Sequence, residues 1–150
     1  MAPGGTGPGP RRRPAARRVF GAGAAAGLAA AVLAGCGASA VRVDGARQAV
    51  RVFEAALASH DYAAACAVLA PVTRSQLEQD EKQPCAQALG GQELPVSAAI
   101  GTPEVYGRQA LVRAGGETLF LSQFTGGWRV VAAGCTPQGE APYRCLVKGG

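Results

Sequence analysis

An α+β domain, with N-terminal helices packed on an antiparallel sheet, is predicted by a change of period near Pro95. Before it, apolar residues recur at helical spacing; after it they alternate, and Gly115-Gly116 and Gly126-Gly127 cut the second half into strand-length segments. A third observation sets the boundaries of that domain. The chain opens with a basic, then apolar leader ending at a cysteine, which leaves residues 44–150 as one folded unit behind a short tether at 36–43.

The leader, residues 1–35, has a Gly/Pro-rich start, arginines at 11, 12, 13, 17 and 18, and an apolar stretch from Val19 to Ala34. Leu33-Ala34-Gly35-Cys36 has the form of a bacterial lipoprotein cleavage site. A thiol at the first mature position accepts diacylglycerol as a thioether, and small residues before it let the peptidase close on the backbone. Cys36 is therefore the expected lipidation site, with the membrane as its partner and the extracytoplasmic face as its location. The alternative, an uncleaved span, falls short of the about 20 apolar residues that a bilayer crossing takes. Arg17-Arg18-Val19-Phe20 resembles a twin-arginine signal, with Ala16 where Ser or Thr is usual, and both that route and the general secretory one fit. The glycines at 21, 23 and 27 imitate a dinucleotide-binding loop, but a cleaved leader contains no βαβ unit to build one.

The formal charge of +5 comes from the leader, where all five basic residues are arginines and none is balanced by an acid. From Cys36 onward ten basic residues face ten acidic ones, so the mature chain offers no basic stripe for nucleic acid. Arginine outnumbers lysine 13 to 2 and asparagine is absent, a bias read as GC-rich coding, which also excludes N-glycosylation.

Within the mature chain, Asp44 is expected to cap a helix whose apolar positions are Ala46, Ala49, Val50, Phe53, Ala56 and Leu57, with Arg47, Arg51 and Glu54 on the other side. His60-Asp61 interrupts it, and Asp61 is placed to cap a second helix through Tyr62, Ala65, Cys66 and Leu69, stopped by Pro71. A third begins near Thr73 or Ser75, where Ser75-Gln-Leu-Glu78 has the capping-box form. Pro84 ends it and opens a fourth turn through Cys85 and Leu89, closed by Gly90-Gly91. Strands are expected at Val96–Ile100, Gln109–Ala114, Thr118–Phe124 and Trp128–Ala133, and Pro103–Gly107 reads as a short strand or a bulge. Tight turns make successive strands antiparallel.

Four cysteines remain after Cys36, an even number in an exported domain, and they read as two disulfides. Of the three pairings, Cys66–Cys85 with Cys135–Cys145 is favoured because each joins chain neighbours within one structural block; the second would close a hairpin or loop carrying Tyr143. Zinc is disfavoured by a single His and the lack of a Cys-x-x-Cys pair.

The order of helices followed by a meander ending in Gly126-Gly-Trp-Arg-Val-Val-Ala-Ala-Gly-Cys135 resembles the small NTF2-like lipoproteins of actinobacteria. Phe53-Glu-Ala-Ala-Leu57 with Asp61-Tyr-Ala-Ala-Ala-Cys66 resembles the opening helical hairpin of that fold. The resemblance covers the mature chain and implies a curved sheet wrapping the helices into a cone with an interior pocket. It transfers no functional residue, because that fold hosts isomerases, dehydratases and binding modules alike.

No catalytic group is expected. His60 is the only histidine, and with Asp61 it sits where two helix ends meet, a place that suits both electrostatically. The acids are expected mostly at caps and on exposed faces, with no visible pairing of an Asp with a Tyr or His of the kind that enzymes on that fold place inside the cone. Tyr62, Tyr106 and Trp128 are the candidate binding residues, and edge-of-core packing is the competing role for each. Arg108, Arg113 and Arg129 are read as a solvated, paired sheet face before an anion site. The serines lack a nucleophile elbow. A non-catalytic binding or interaction module meeting an envelope protein or a small apolar ligand is thus the leading expectation, without a cofactor; a small-molecule isomerase or dehydratase is the alternative.

Replacing Cys36 with Ala is expected to abolish lipidation and alter processing, read by the mass of the N-terminal peptide. The wild-type chain should stay with membranes through a salt wash, because diacylglycerol supplies two acyl chains; an unlipidated chain in the cytosol would contradict this.

Overall fold

In the computed structural model, residues 38–149 are described, with Met1, Gly4, Gly5, Gly7 and Gly9 as isolated positions before them. The lipidation site Cys36 and nearly all of the leader lie outside the described residues. Four helices come first: α1 (Ala40–Ala58), α2 (Tyr62–Val68), α3 (Pro71–Glu81) and α4 (Cys85–Gly90). Six strands follow: β1 (Glu104–Tyr106), β2 (Gln109–Ala114), β3 (Glu117–Phe124), β4 (Gly127–Gln138), β5 (Ala141–Arg144) and β6 (Val147–Lys148).

Helix α1 starts at Ala40, not at Asp44, because nothing in Ala40–Val43 breaks a helix; the tether is shortened accordingly. Asp44 lies a turn inside, where it pairs with Arg47 at 3.7 Å instead of capping. The helix ends at Ala58, and two residues on His60, with a φ of 56°, turns the chain. Asp61 then caps α2 as expected, its Oδ1 accepting from the Ala64 N–H at 3.0 Å. Pro71 both follows α2 and occupies the first turn of α3, where a missing N–H and a fixed φ carry no penalty. Ser75 is consequently inside α3, and the expected capping box does not form. Glu78 reaches forward instead, accepting from the Cys85 N–H at 3.1 Å and pairing with Arg74 at 3.2 Å.

The strands form an antiparallel sheet in the order β1-β2-β3-β4-β5, with β6 also beside β4, curled into a cone-like half-barrel against the helices. Pro103–Gly107 resolves into β1. The strand expected at Val96–Ile100 does not form, because its donors go elsewhere: Ser97 N–H to the Glu54 carboxylate and Ala99 N–H to the Ser97 hydroxyl. Only Ile100 makes a bridge, to Ala114. Strand β4 runs well past Ala133, and its register against β3 shifts twice between Thr118 and Leu121. Gly134 has φ +65°, and a Cβ there would come within 2.9 Å of both Leu94 and Leu146.

The core is built largely of alanine. Ala46, Ala65, Ala88, Ala110, Ala114 and Ala133 are buried between helices and sheet, with Phe53, Leu89, Leu119 and Leu121 as the large buried side chains. Trp128 packs against Gly45 of α1 so closely that a Cβ there would meet the indole at 2.9 Å. Disulfides join Cys66 to Cys85, linking α2 to α4, and Cys135 to Cys145, closing the β4–β5 hairpin. Two disulfides in so small a domain fit an extracytoplasmic protein. No helix among the described residues is long and apolar enough to cross a membrane.

Removing the α2–α4 bridge as Cys66→Ala/Cys85→Ala is expected to cost about 2–4 kcal/mol, read from urea unfolding midpoints. A loss near zero would mean that the helices hold their places without it.

Candidate functional site

Glu54 and Glu117 are the two buried acids of the described residues, 4% and 3% exposed, and they meet inside the domain. Glu54 falls on the inner stripe of α1, four residues after Val50 and three before Leu57. Glu117 opens β3 on the face shared by Leu119 and Leu121. The expectation that acids mostly occupy caps and exposed faces, and that Glu54 lies on the outer side of α1 with Arg47 and Arg51, is thereby corrected for these two: apolar neighbours carry both carboxyls inward with their elements.

Each carboxyl is held from outside by one backbone donor. Ser97 N–H donates to Glu54 Oε2 at 2.8 Å, and Gly134 N–H, freed by the bulge of β4, donates to Glu117 Oε2. The other oxygen of each, Oε1, is buried without a partner in the ionised state. The two carboxyls lie close enough to influence each other's titration, and a proton between them would satisfy the pair where two charges would repel. Burial is the largest influence on both and raises both pKa values. Glu117 is pushed up to about 7, with the Glu54 charge adding to the rise and the Gly134 N–H opposing it.

A cleft of about 320 Å³ is lined by Glu54 and Ser97 together with Ala55, Ala58, Val96, Ala98 and Ile100, with Arg51 beside them. A smaller one of about 220 Å³, including Pro95, Thr136, Arg144 and Leu146, borders Glu117. A third, of about 300 Å³, lies between the start of α3 and the β3–β4 turn, with Arg74, Phe124 and Arg129 among its walls. The cone interior between them is filled by the core side chains. Comparison with protein-family models, with curated proteins and with solved structures finds no match.

The residues singled out in the sequence are dispersed. His60 is exposed at the α1–α2 junction, its Nδ1 3.1 Å from the Tyr62 hydroxyl, and the Tyr62 ring lies against Gly90. Trp128 is packed under α1, while Tyr106 is 69% exposed at the end of β1. Arg113 pairs with Glu104, whereas Arg108 and Arg129 bond to the carbonyls of Gln123 and Ala67. No group of three or more metal-binding side chains occurs among the described residues.

The raised Glu117 pKa predicts a sign for the pH dependence. Protonation is favoured in the folded state, so its stabilisation is complete below the ordinary carboxyl value of 4.5 and is lost as pH rises through about 7. Between pH 5 and 8 the wild type should lose on the order of 1–3 kcal/mol relative to Glu117→Gln, whose amide can donate to Glu54 without titrating. Urea midpoints across that range measure it; parallel curves for the two proteins would refute the shared proton.

Proposed function

We propose that the mature chain is a lipid-anchored extracytoplasmic binding module of NTF2-like architecture. Its ligand site is the cleft between α1 and the segment 96–100, and it takes a small amphiphile: an apolar body against Ala55, Ala58, Val96 and Ile100, with an anionic or polar group toward Arg51. The helices cradled in a curled sheet support the architecture. The burial of the Glu54–Glu117 pair carries the choice of binding over chemistry. A raised carboxyl pKa beside a cleft is what a general acid needs, and it is the observation favouring an isomerase or dehydratase. Yet the oxygens between which the proton would be held are buried, and the outer ones accept from Ser97 and Gly134. Both carboxyls are thus engaged by the fold itself, and the pair serves as a structural floor of the cleft that Glu54 lines.

Anilinonaphthalene sulfonate, an apolar ring system with one anionic group, is a suitable probe. It should brighten on the wild type, bind about tenfold more weakly to Ala58→Trp, which fills the cleft, and bind normally to His60→Ala. Equal binding by wild type and Ala58→Trp would remove the cleft from consideration. Loss of the protein's cellular role in a correctly folded His60→Ala variant would favour the enzymatic reading.

A further inference from the structure

Three separate stretches of exposed apolar and cationic side chains converge on one end of the domain. The β1–β2 turn carries Tyr106 and Arg108, and the β3–β4 turn carries Phe124, with Arg129 close behind it. Pairing of Tyr106 with Gln109, of Gln109 with Ser122 and of Phe124 with Gly127 puts both turns at the same edge, where the Gln123 N–H donates to the Arg108 carbonyl at 2.8 Å. Tyr106 is 69% and Phe124 39% exposed. Residues 105–109 and 122–129 contain no acid, and neither Arg108 nor Arg129 has a carboxylate partner among the described residues.

The start of α1 comes to this same end. Gly45 sits on Trp128, the second residue of β4, while Glu54, two and a half turns later, meets Glu117 beside the β2–β3 turn at the opposite end. Val41, a turn before Gly45, is 81% exposed. Three residues lie between Cys36 and Ala40, four Cα-to-Cα steps that reach at most about 14 Å.

We propose that this end of the sheet rests on the lipid surface, with Tyr106 and Phe124 in the headgroup layer and Arg108 and the half-buried Arg129, each held by a backbone carbonyl, supplying positive charge toward anionic headgroups. The proposal rests on the reading of Cys36 as the lipid anchor and adds to it a defined orientation. Aromatic rings are at home in the interfacial layer, and unpaired arginines are attracted by anionic lipid. A short tether holds these turns within reach of both. The cleft beside Glu54 is then carried at the end away from the bilayer.

The test places a second tryptophan at either end of the full-length, exported protein, as Phe124→Trp or as Glu140→Trp in the β4–β5 turn. Each protein is reconstituted into phosphatidylglycerol/phosphatidylcholine vesicles that contain a headgroup-nitroxide lipid, with Trp128 common to both. Quenching of Phe124→Trp at least threefold stronger than of Glu140→Trp is expected; equal or reversed quenching overturns the orientation. The mass of the Cys36 peptide reports separately on the anchor. Should it carry no diacylglycerol, the anchor reading falls, and adding the unlipidated protein to the same vesicles still decides the surface: preferential quenching of Phe124→Trp supports it, and none overturns it. Shielding of Phe124→Trp from iodide in cell membranes without quenching in vesicles would assign the patch to a protein partner and overturn the proposal.

Discussion

Two buried carboxyls that face each other tie together parts of the chain that have little else in common. Glu54 belongs to α1 and Glu117 to the first position of β3, and their outer oxygens capture Ser97 and Gly134. The helix, the sheet, the irregular segment after α4 and the bulge of β4 therefore meet at one point. Buried carboxyls without a cation are costly when ionised, and sharing a proton removes most of that cost while leaving a directional bond between layers. The same arrangement explains why Val96–Ile100 lies alongside α1 instead of joining the sheet as a strand: its Ser97 N–H is already taken by Glu54 of the helix.

At the other end of α1 the constraint is steric. Gly45 admits the Trp128 indole, which sets how closely the helix approaches the start of β4. The helix is thus fixed at one end by shape and at the other by hydrogen bonding, and the two disulfides secure the pieces it does not touch directly. Cys66–Cys85 holds α4 to α2, and Cys135–Cys145 closes the outermost hairpin. That division of labour suits a domain whose aromatic side chains are few.

Most of the architecture was legible because local rules agreed with one another. Period, glycine turns and proline positions marked the helices and three of the strands, with β1 read as a short strand or a bulge, and the disulfide partners followed from proximity along the chain. The errors came where a longer-range partner decided the outcome. Asp44 looked like a cap because it precedes an apolar run, but the helix extends back through residues with no reason to stop it. Ser75 and Glu78 matched a capping pattern that Pro71 made redundant. The carboxyl pair escaped the sequence reading: Glu54 keeps phase with Val50 and Leu57 but as a charged residue reads as part of the polar side with Arg47 and Arg51, and Glu117, in phase with Leu119 and Leu121, lies one residue before the strand expected from Thr118. What no local pattern contains is that two acids 63 positions apart would face each other.

The alanine-lined interior has an evolutionary consequence. Where a methyl group is all that separates one backbone from another, shortening a side chain is scarcely available as a lesion, and the damaging changes are enlargements. Ala46, Ala65, Ala110, Ala114 and Ala133 should reject valine or leucine more firmly than many surface sites reject a charge, while truncation is harmful mainly at Phe53, Leu89, Leu119 and Leu121. Sequences drifting under such a rule would keep their small residues and exchange almost everything else. Descendants of a common ancestor would then share a pattern of empty space more than a pattern of letters.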